Sequence, residues 1–235
     1  MNDRVQRICA LGGPAALVIA CAGWLIAGVL PLPLGPSDSV SEVVEFYSGH
    51  DTRLLIGLVI AGLGVCLVFP LVAAISILMM RMEGRTPVLT VLQLVTGSAT
   101  GLLLLLPMLM MTVIGFRPDR SPELTMTLND LSWLLFLTPI GPFIIQNVAI
   151  GVAVLRDPTH VFPRWSGYLN FLVGFMFVPD ILAFFFKTGP FAWNGIFVFW
   201  LALTAYSVWL VVMCVVVRRA VGTAAATDTP VPVAV

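Results

Sequence analysis

Residues 88–116 read VLTVLQLVTGSATGLLLLLPMLMMTVIGF, with no Asp, Glu, Lys or Arg anywhere in the stretch. At about 1.5 Å of rise per residue, a helix of this length outruns a bilayer hydrocarbon core of about 30 Å, for which roughly 20 residues suffice. Outward from it lie five more such stretches: Ile8 to Leu30, Leu54 to Met80, Leu131 to Leu155, Trp165 to Phe186 and Ile196 to Val217. The pattern predicts an all-α polytopic membrane protein with six transmembrane helices.

Composition points the same way. Hydrophobic residues make up 59% of the chain and charged ones 10%, against about 25% charged in a soluble domain. One transmembrane domain over residues 1–222 accounts for nearly everything. Residues 223–235 are rich in Ala, Thr and Pro without a period, and are expected to be a disordered cytoplasmic tail. A net charge of zero gives no electrostatic reason to expect a nucleic-acid partner. Cys9, Cys21, Cys66 and Cys214 fall inside the apolar stretches and form no C-x-x-C pair, so they read as small packing residues.

Topology follows from Lys and Arg, which stay on the cytoplasmic side. An inside N-terminus gathers Arg4, Arg7, Arg81, Arg85, Arg156, Arg164, Arg218 and Arg219 there, leaving Arg53, Arg117, Arg120 and Lys187 outside. Both termini are therefore expected in the cytoplasm, and the protein in a cell membrane of the bacterial inner-membrane type. Val18-Ile19-Ala20-Cys21 fits a lipoprotein cleavage box, and Ala20-Cys21-Ala22 a signal-peptidase site. Apolar residues continue past the cut through Trp24, Leu25, Ile26 and Val29, so an uncleaved first span is expected.

Between the first two spans, the Leu-Pro-Leu-Pro-Leu-Gly-Pro run ends one helix. Ser39-Val40-Ser41-Glu42 then starts another with a capping-box pattern. Val40, Val43, Val44 and Tyr47 follow at helical spacing, predicting a short amphipathic helix at the outer interface. The loop from Gly115 to Asn129 is polar. Prolines interrupt four spans: Pro70, Pro107, the Pro139-Ile140-Gly141-Pro142 run, and Pro179. The two prolines around a glycine predict local unwinding of the fourth. Trp24, Trp133 and Trp193 lie near span ends and read as interfacial belt residues.

Polar groups at membrane depth mark candidate sites. Asp180 is the foremost, directly after Pro179 in the fifth span. Lys187, seven residues on, shares its face if the helix continues, and Arg53, Arg117 or Arg120 could reach it from the outer loops. Asp130 with Arg117 and Arg120 would form the mouth of an outward pocket. Gln93, Thr96, Gln146, Asn147 and Asn170 form a second, uncharged polar group toward the cytoplasm, which could line a polar path and is better read as hydrogen-bonding helices together.

No metal site is expected. Glu42, Glu45, His50 and Asp51 offer only a loose set of oxygen and nitrogen ligands, better read as an acidic solvated surface. His50 outside and His160 inside cannot share a haem plane in this topology, and no cofactor is expected. Gly-x-Ser-x-Gly, His-Glu-x-x-His and Walker patterns are absent from the sequence.

The stretch Phe162-Pro163-Arg164-Trp165-Ser166-Gly167-Tyr168-Leu169 places a snorkelling cation and an aromatic anchor at a helix start. With the hydropathy pattern, it resembles a family of uncharacterised bacterial six-helix membrane proteins. The resemblance implies an architecture and no chemistry. Function therefore rests on three alternatives. The first is a non-enzymatic bundle, surrounded by membrane lipids, that binds or transports a small or lipid-like ligand at Asp180. The second is an accessory subunit docking on a partner membrane protein or on its own copies. The third is a lipid-acting membrane enzyme using His50, Asp51 or Asp180.

Overall fold

The structure, a computed structural model, describes residues 3–31, 33–49, 51–138 and 140–227, with backbone alone for Asp51 and for 223–227. Every regular element among them is helical. Six helices or helix pairs are long and apolar enough to cross a membrane: Asp3–Ala27, Thr52–Glu83, Val88–Phe116, Pro122–Arg156, Arg164–Phe184 and Ile196–Gly222. On α6 (Val88–Phe116), Val91, Val95, Leu102, Leu109 and Val113 are each more than half exposed. Leaving such a face bare in water forfeits burial of about 25 cal/mol per Å²; a lipid environment removes that cost.

Prolines divide the spans. The missing N–H abandons the carbonyl four residues back, and the ring crowds it. Pro14, Pro70, Pro142 and Pro179 thereby affect the carbonyls of Ala10, Cys66, Thr138 and Phe175. The helices end at or beside those residues: α1 (Asp3–Ala10), α4 (Asp51–Cys66), α7 (Pro122–Leu137) and α9 (Arg164–Met176). Their continuations are α2 (Gly12–Ala27), α5 (Val68–Glu83), α8 (Gly141–Arg156) and a 3-10 helix over Val178–Phe184. A π-helical turn, Ile196–Trp200, opens the last span and leads into α10 (Leu201–Thr227). Pro139, the other proline of the fourth break, lies outside the described residues.

Pro107 departs from the sequence expectation: α6 runs through it unbroken. The residues before it explain the difference. Leu103 to Leu106 are strong helix formers, whereas Phe175-Met176-Phe177-Val178 and Ala10-Leu11-Gly12-Gly13 are weaker. Two boundaries also differ. The fourth span begins at Pro122, with proline favourably placed in its first turn, so the loop expected to reach Asn129 is helical from there. α10 continues to Thr227, past the point where the tail was expected to start; residues 228–235 lie outside the described residues.

The spans pack in a closed ring in chain order, the sixth returning against the first. The tightest seam joins α2 to α4. A Cβ added at Gly23 would collide with the backbone of Gly57 and Ala61, and one at Gly57 with that of Ala27 and Gly23. Small residues here bring two backbones into direct contact, the chief means of helix association where lipid removes the hydrophobic drive. At the arginine-rich end, the Glu83 carboxylate accepts from Leu89 N–H (2.9 Å) and from Thr90 N–H (2.6 Å). It caps the first turn of α6, whose own preceding residue Pro87 offers no side-chain acceptor. Asp157 likewise accepts from Thr159 and Val161 N–H (2.8 and 2.7 Å), folding the turn that leads into α9.

At the other end sits α3 (Val40–Ser48), begun by the expected capping box: Ser39 Oγ accepts from Glu42 N–H at 3.3 Å, and Glu42 accepts from Ser39 N–H at 2.7 Å. The backbone and hydroxyl of Ser39 hold the Glu42 carboxyl below its ordinary range. Its apolar face meets protein. Val43 and Tyr47 are buried, and the Tyr47 hydroxyl donates to Asn129 Oδ1 of α7 at 3.0 Å. Burial, and secondarily the Asp130 charge, push the Tyr47 phenol upward, keeping it a donor. Trp24, Trp133 and Trp193 are also buried, correcting their placement in an interfacial belt. Trp24 Nε1–H points at Met108 Sδ (3.0 Å) and Trp193 Nε1–H donates to the Leu34 carbonyl (2.7 Å). Trp165 remains exposed at the start of α9, as an anchor requires.

Candidate functional site

The apolar core comes in two pieces. One, around Ile75, Ile150, Trp209 and Met213, fills the arginine-rich half; the other, around Trp24, Leu58, Trp133 and Phe199, fills the α3 half. Between them lies a cavity of about 80 Å³. It sits where the fourth, fifth and sixth spans change direction or helix type, because each break draws side chains away from regular packing. Thr100, Leu103 and Leu104 come from α6, Phe136 and Leu137 from the end of α7, and Ile140 and Phe143 from the start of α8. Phe177 and Asp180 follow α9, and Phe199, Ala202, Leu203 and Tyr206 complete the wall. A smaller apolar cavity of about 60 Å³ lies against α2 and shares Leu104, Phe136, Leu203 and Tyr206 as a partition.

Two polar groups of this wall lack a protein partner. Asp180 is 1% exposed, and its Oδ1 accepts no hydrogen bond; the Tyr206 hydroxyl is buried and also unbonded. The third polar residue, Thr100, donates back to the Thr96 carbonyl at 2.9 Å. Buried polar atoms are satisfied in the large majority of cases, and leaving one bare costs about 1–3 kcal/mol. At roughly 10–15 Å³ per water-sized space, the cavity has room for a few waters or a small molecule.

The basic residues weighed as partners of Asp180 are engaged elsewhere. Arg53 Nε–H donates to the Ile26 carbonyl (2.8 Å) and Arg120 to the Val113 carbonyl (3.3 Å), while Arg117 is exposed. Lys187 was placed on the Asp180 face by α-helical spacing. The 3-10 helix removes that spacing, and Lys187 exerts its field on Asp130 instead. Asp130, half-buried on α7 with an unbonded Oδ1, lies beside the Tyr47–Asn129 contact and does not line the cavity.

The amides form a separate seam in the arginine-rich half. Asn170 accepts from Trp209 Nε1–H (2.9 Å) and donates to the Ser166 carbonyl (2.7 Å), tying α9 to α10. Asn147 donates to the Phe143 carbonyl (2.9 Å), Ser76 Oγ contacts Gln93 Oε1 (2.5 Å), and Gln146 lies over Gly97. None of them lines the cavity. Of the sequence candidates, Asp180 alone is brought to it. Tyr206 was missed: a tyrosine among apolar residues carries no local signal until its hydroxyl is seen to lack a partner.

Among the described residues, no group of three or more His, Cys, Asp or Glu could hold a metal ion. Glu42 is spent on the α3 cap, and Glu45 is exposed. His50 and the Asp51 side chain lie outside the described residues. Compared with protein-family models, curated proteins and solved structures, the chain matches none.

Proposed function

We propose that this protein is a non-enzymatic membrane bundle that binds, and in moving its broken spans transfers, a small ligand carrying a polar group within an apolar frame. One observation carries the proposal: a carboxyl and a phenol, both without protein partners, line one apolar cavity. Ligand pockets combine such apolar walls with few polar groups. Discontinuous helices at mid-depth are likewise the usual frame of transporter sites. The arginine-rich end faces the cytoplasm, with both termini there, and the membrane is a bacterial inner membrane of the kind found in the six-helix family the sequence resembles.

The test compares wild type with Asp180→Leu, both purified in mild detergent and checked for monodispersity. Small molecules are released by denaturation and measured by mass spectrometry. A compound retained by wild type and lost from the variant is expected; identical small-molecule content in the two preparations refutes the proposal. Single-cysteine labelling at Arg85 and Arg120 in intact cells tests the orientation, with labelling by an impermeant reagent expected at position 120 alone.

A further inference from the structure

We infer that the ligand group held at Asp180 is a compact organic cation, of the methylated-ammonium class, seated in an aromatic box. The inference rests on the binding proposal above and specifies its chemistry. Five aromatic rings line the cavity with Asp180: Phe136, Phe143, Phe177, Phe199 and Tyr206. They come from three different spans and stand at varied angles. Phe143 lies 4.5 Å from Phe177 between ring centroids and meets Tyr206 edge-on at 5.2 Å, the planes inclined at 73°. Ring faces carry negative quadrupolar charge and attract cations, most strongly where water is excluded.

The carboxyl decides the sign of the ligand. No Lys or Arg lines the cavity, and Asp180 Oδ1 has no donor. A carboxyl buried in this way carries its charge only beside a positive partner. An anion therefore finds no countercharge, a neutral hydrocarbon leaves the acid unanswered, and a cation is matched by the carboxylate that its own charge stabilises. An inorganic divalent ion is disfavoured: the wall offers it one carboxyl and two hydroxyls, and the rest of its oxygen shell would be water held against apolar side chains. A methylated ammonium needs neither a dense ligand shell nor directed hydrogen bonds. Its methyl groups suit the apolar wall, and Asp180 supplies the countercharge. Size sets a further limit. The cavity of about 80 Å³ is about half the roughly 150 Å³ that admits benzene in an engineered protein core. By the same scale it holds about three or four heavy atoms against benzene's six. A methylated ammonium head is thus at the limit, the rest of its molecule projects from the cavity, and a bulky polycyclic cation is excluded.

Choline and 3,3-dimethylbutan-1-ol test the inference, because they share shape and differ in charge. Each is titrated into the full-length protein in lipid nanodiscs by isothermal calorimetry. Choline is expected to bind at least about tenfold tighter. Asp180→Asn is expected to bring the ratio to about one, and Phe143→Leu to reduce it while thermal unfolding remains cooperative. Equal affinity for the two probes in wild type overturns the cation assignment and leaves the binding proposal standing. Binding of neither probe overturns the cation assignment, and the mass-spectrometric comparison above then decides the binding proposal separately. A ratio that survives Asp180→Asn also overturns the assignment, since the charge preference then arises elsewhere.

Discussion

Replacing Asp180 with leucine should make this protein more stable. In the folded state the side chain is 1% exposed and its Oδ1 has no hydrogen-bond partner. An unsatisfied buried polar atom costs about 1–3 kcal/mol. Leucine removes that cost, and the neighbouring cavity of about 80 Å³ accepts the extra methyl volume that a close-packed core would resist. For chains of about 150–250 residues, each kcal/mol shifts the melting temperature by about 2–4 °C. The expected gain is therefore about 2–12 °C. The assay is intrinsic-fluorescence unfolding in detergent at a fixed scan rate, because unfolding of such proteins is often irreversible. Both proteins are measured after retained small molecules have been washed out, because a ligand held by wild type alone would stabilise it. A fall in melting temperature refutes the reasoning. It means that Asp180 holds the fold together through a partner, and the case for a ligand at that carboxyl falls with it.

The seam between α2 and α4 gives a second expectation. Gly57→Leu must force the two backbones apart and should lower the melting temperature by several degrees or abolish a monodisperse peak, while Gly141→Ala, with nothing within 4 Å of its added Cβ, should leave both unchanged. Tyr47→Phe removes the buried bond to Asn129 and should cost about 1–2 kcal/mol, seen as faster amide exchange across residues 40–48. The cap of α3 depends on pH. The folded Glu42 carboxyl is held below its ordinary value of 4.5, so its contribution is complete above 4.5 and is lost as pH falls through the lowered value. Amide exchange at Glu42, corrected for its intrinsic pH dependence, should show protection in neutral buffer and its loss in acid; protection independent of pH refutes the cap.

The six spans were legible because hydropathy is local: no tertiary knowledge is needed to see that residues 88–116 cannot be solvated. The α3 cap was legible for the same reason, since Ser39 and Glu42 meet within one turn. Helix breaks were only partly so. Pro70 and Pro107 look alike in the sequence, and what separates them is that Cys66-Leu67-Val68-Phe69 before the first are weaker helix formers than Leu103 to Leu106 before the second. The tryptophans misled because their distance from span ends matches an interfacial belt, while their burial depends on which neighbouring helix covers them. Asp180 stood out as a charge among apolar residues. Its true surroundings did not, because they are assembled from α6, α7, α8 and α10 and from a 3-10 turn that cancels α-helical spacing.

The distribution of breaks also determines how the molecule can bend. A continuous ladder of hydrogen bonds resists flexure, and a proline joint yields. At cavity depth the second, fourth, fifth and sixth spans each carry a joint or a change of helix type, whereas α2 and α6 pass through intact. Bending at this depth is therefore resisted at α2 and α6 and concentrated in the spans that are jointed there. The cavity divides accordingly: Phe143, Phe177 and Phe199 stand beside joints, and Thr100 and Leu104 stand on an unbroken helix.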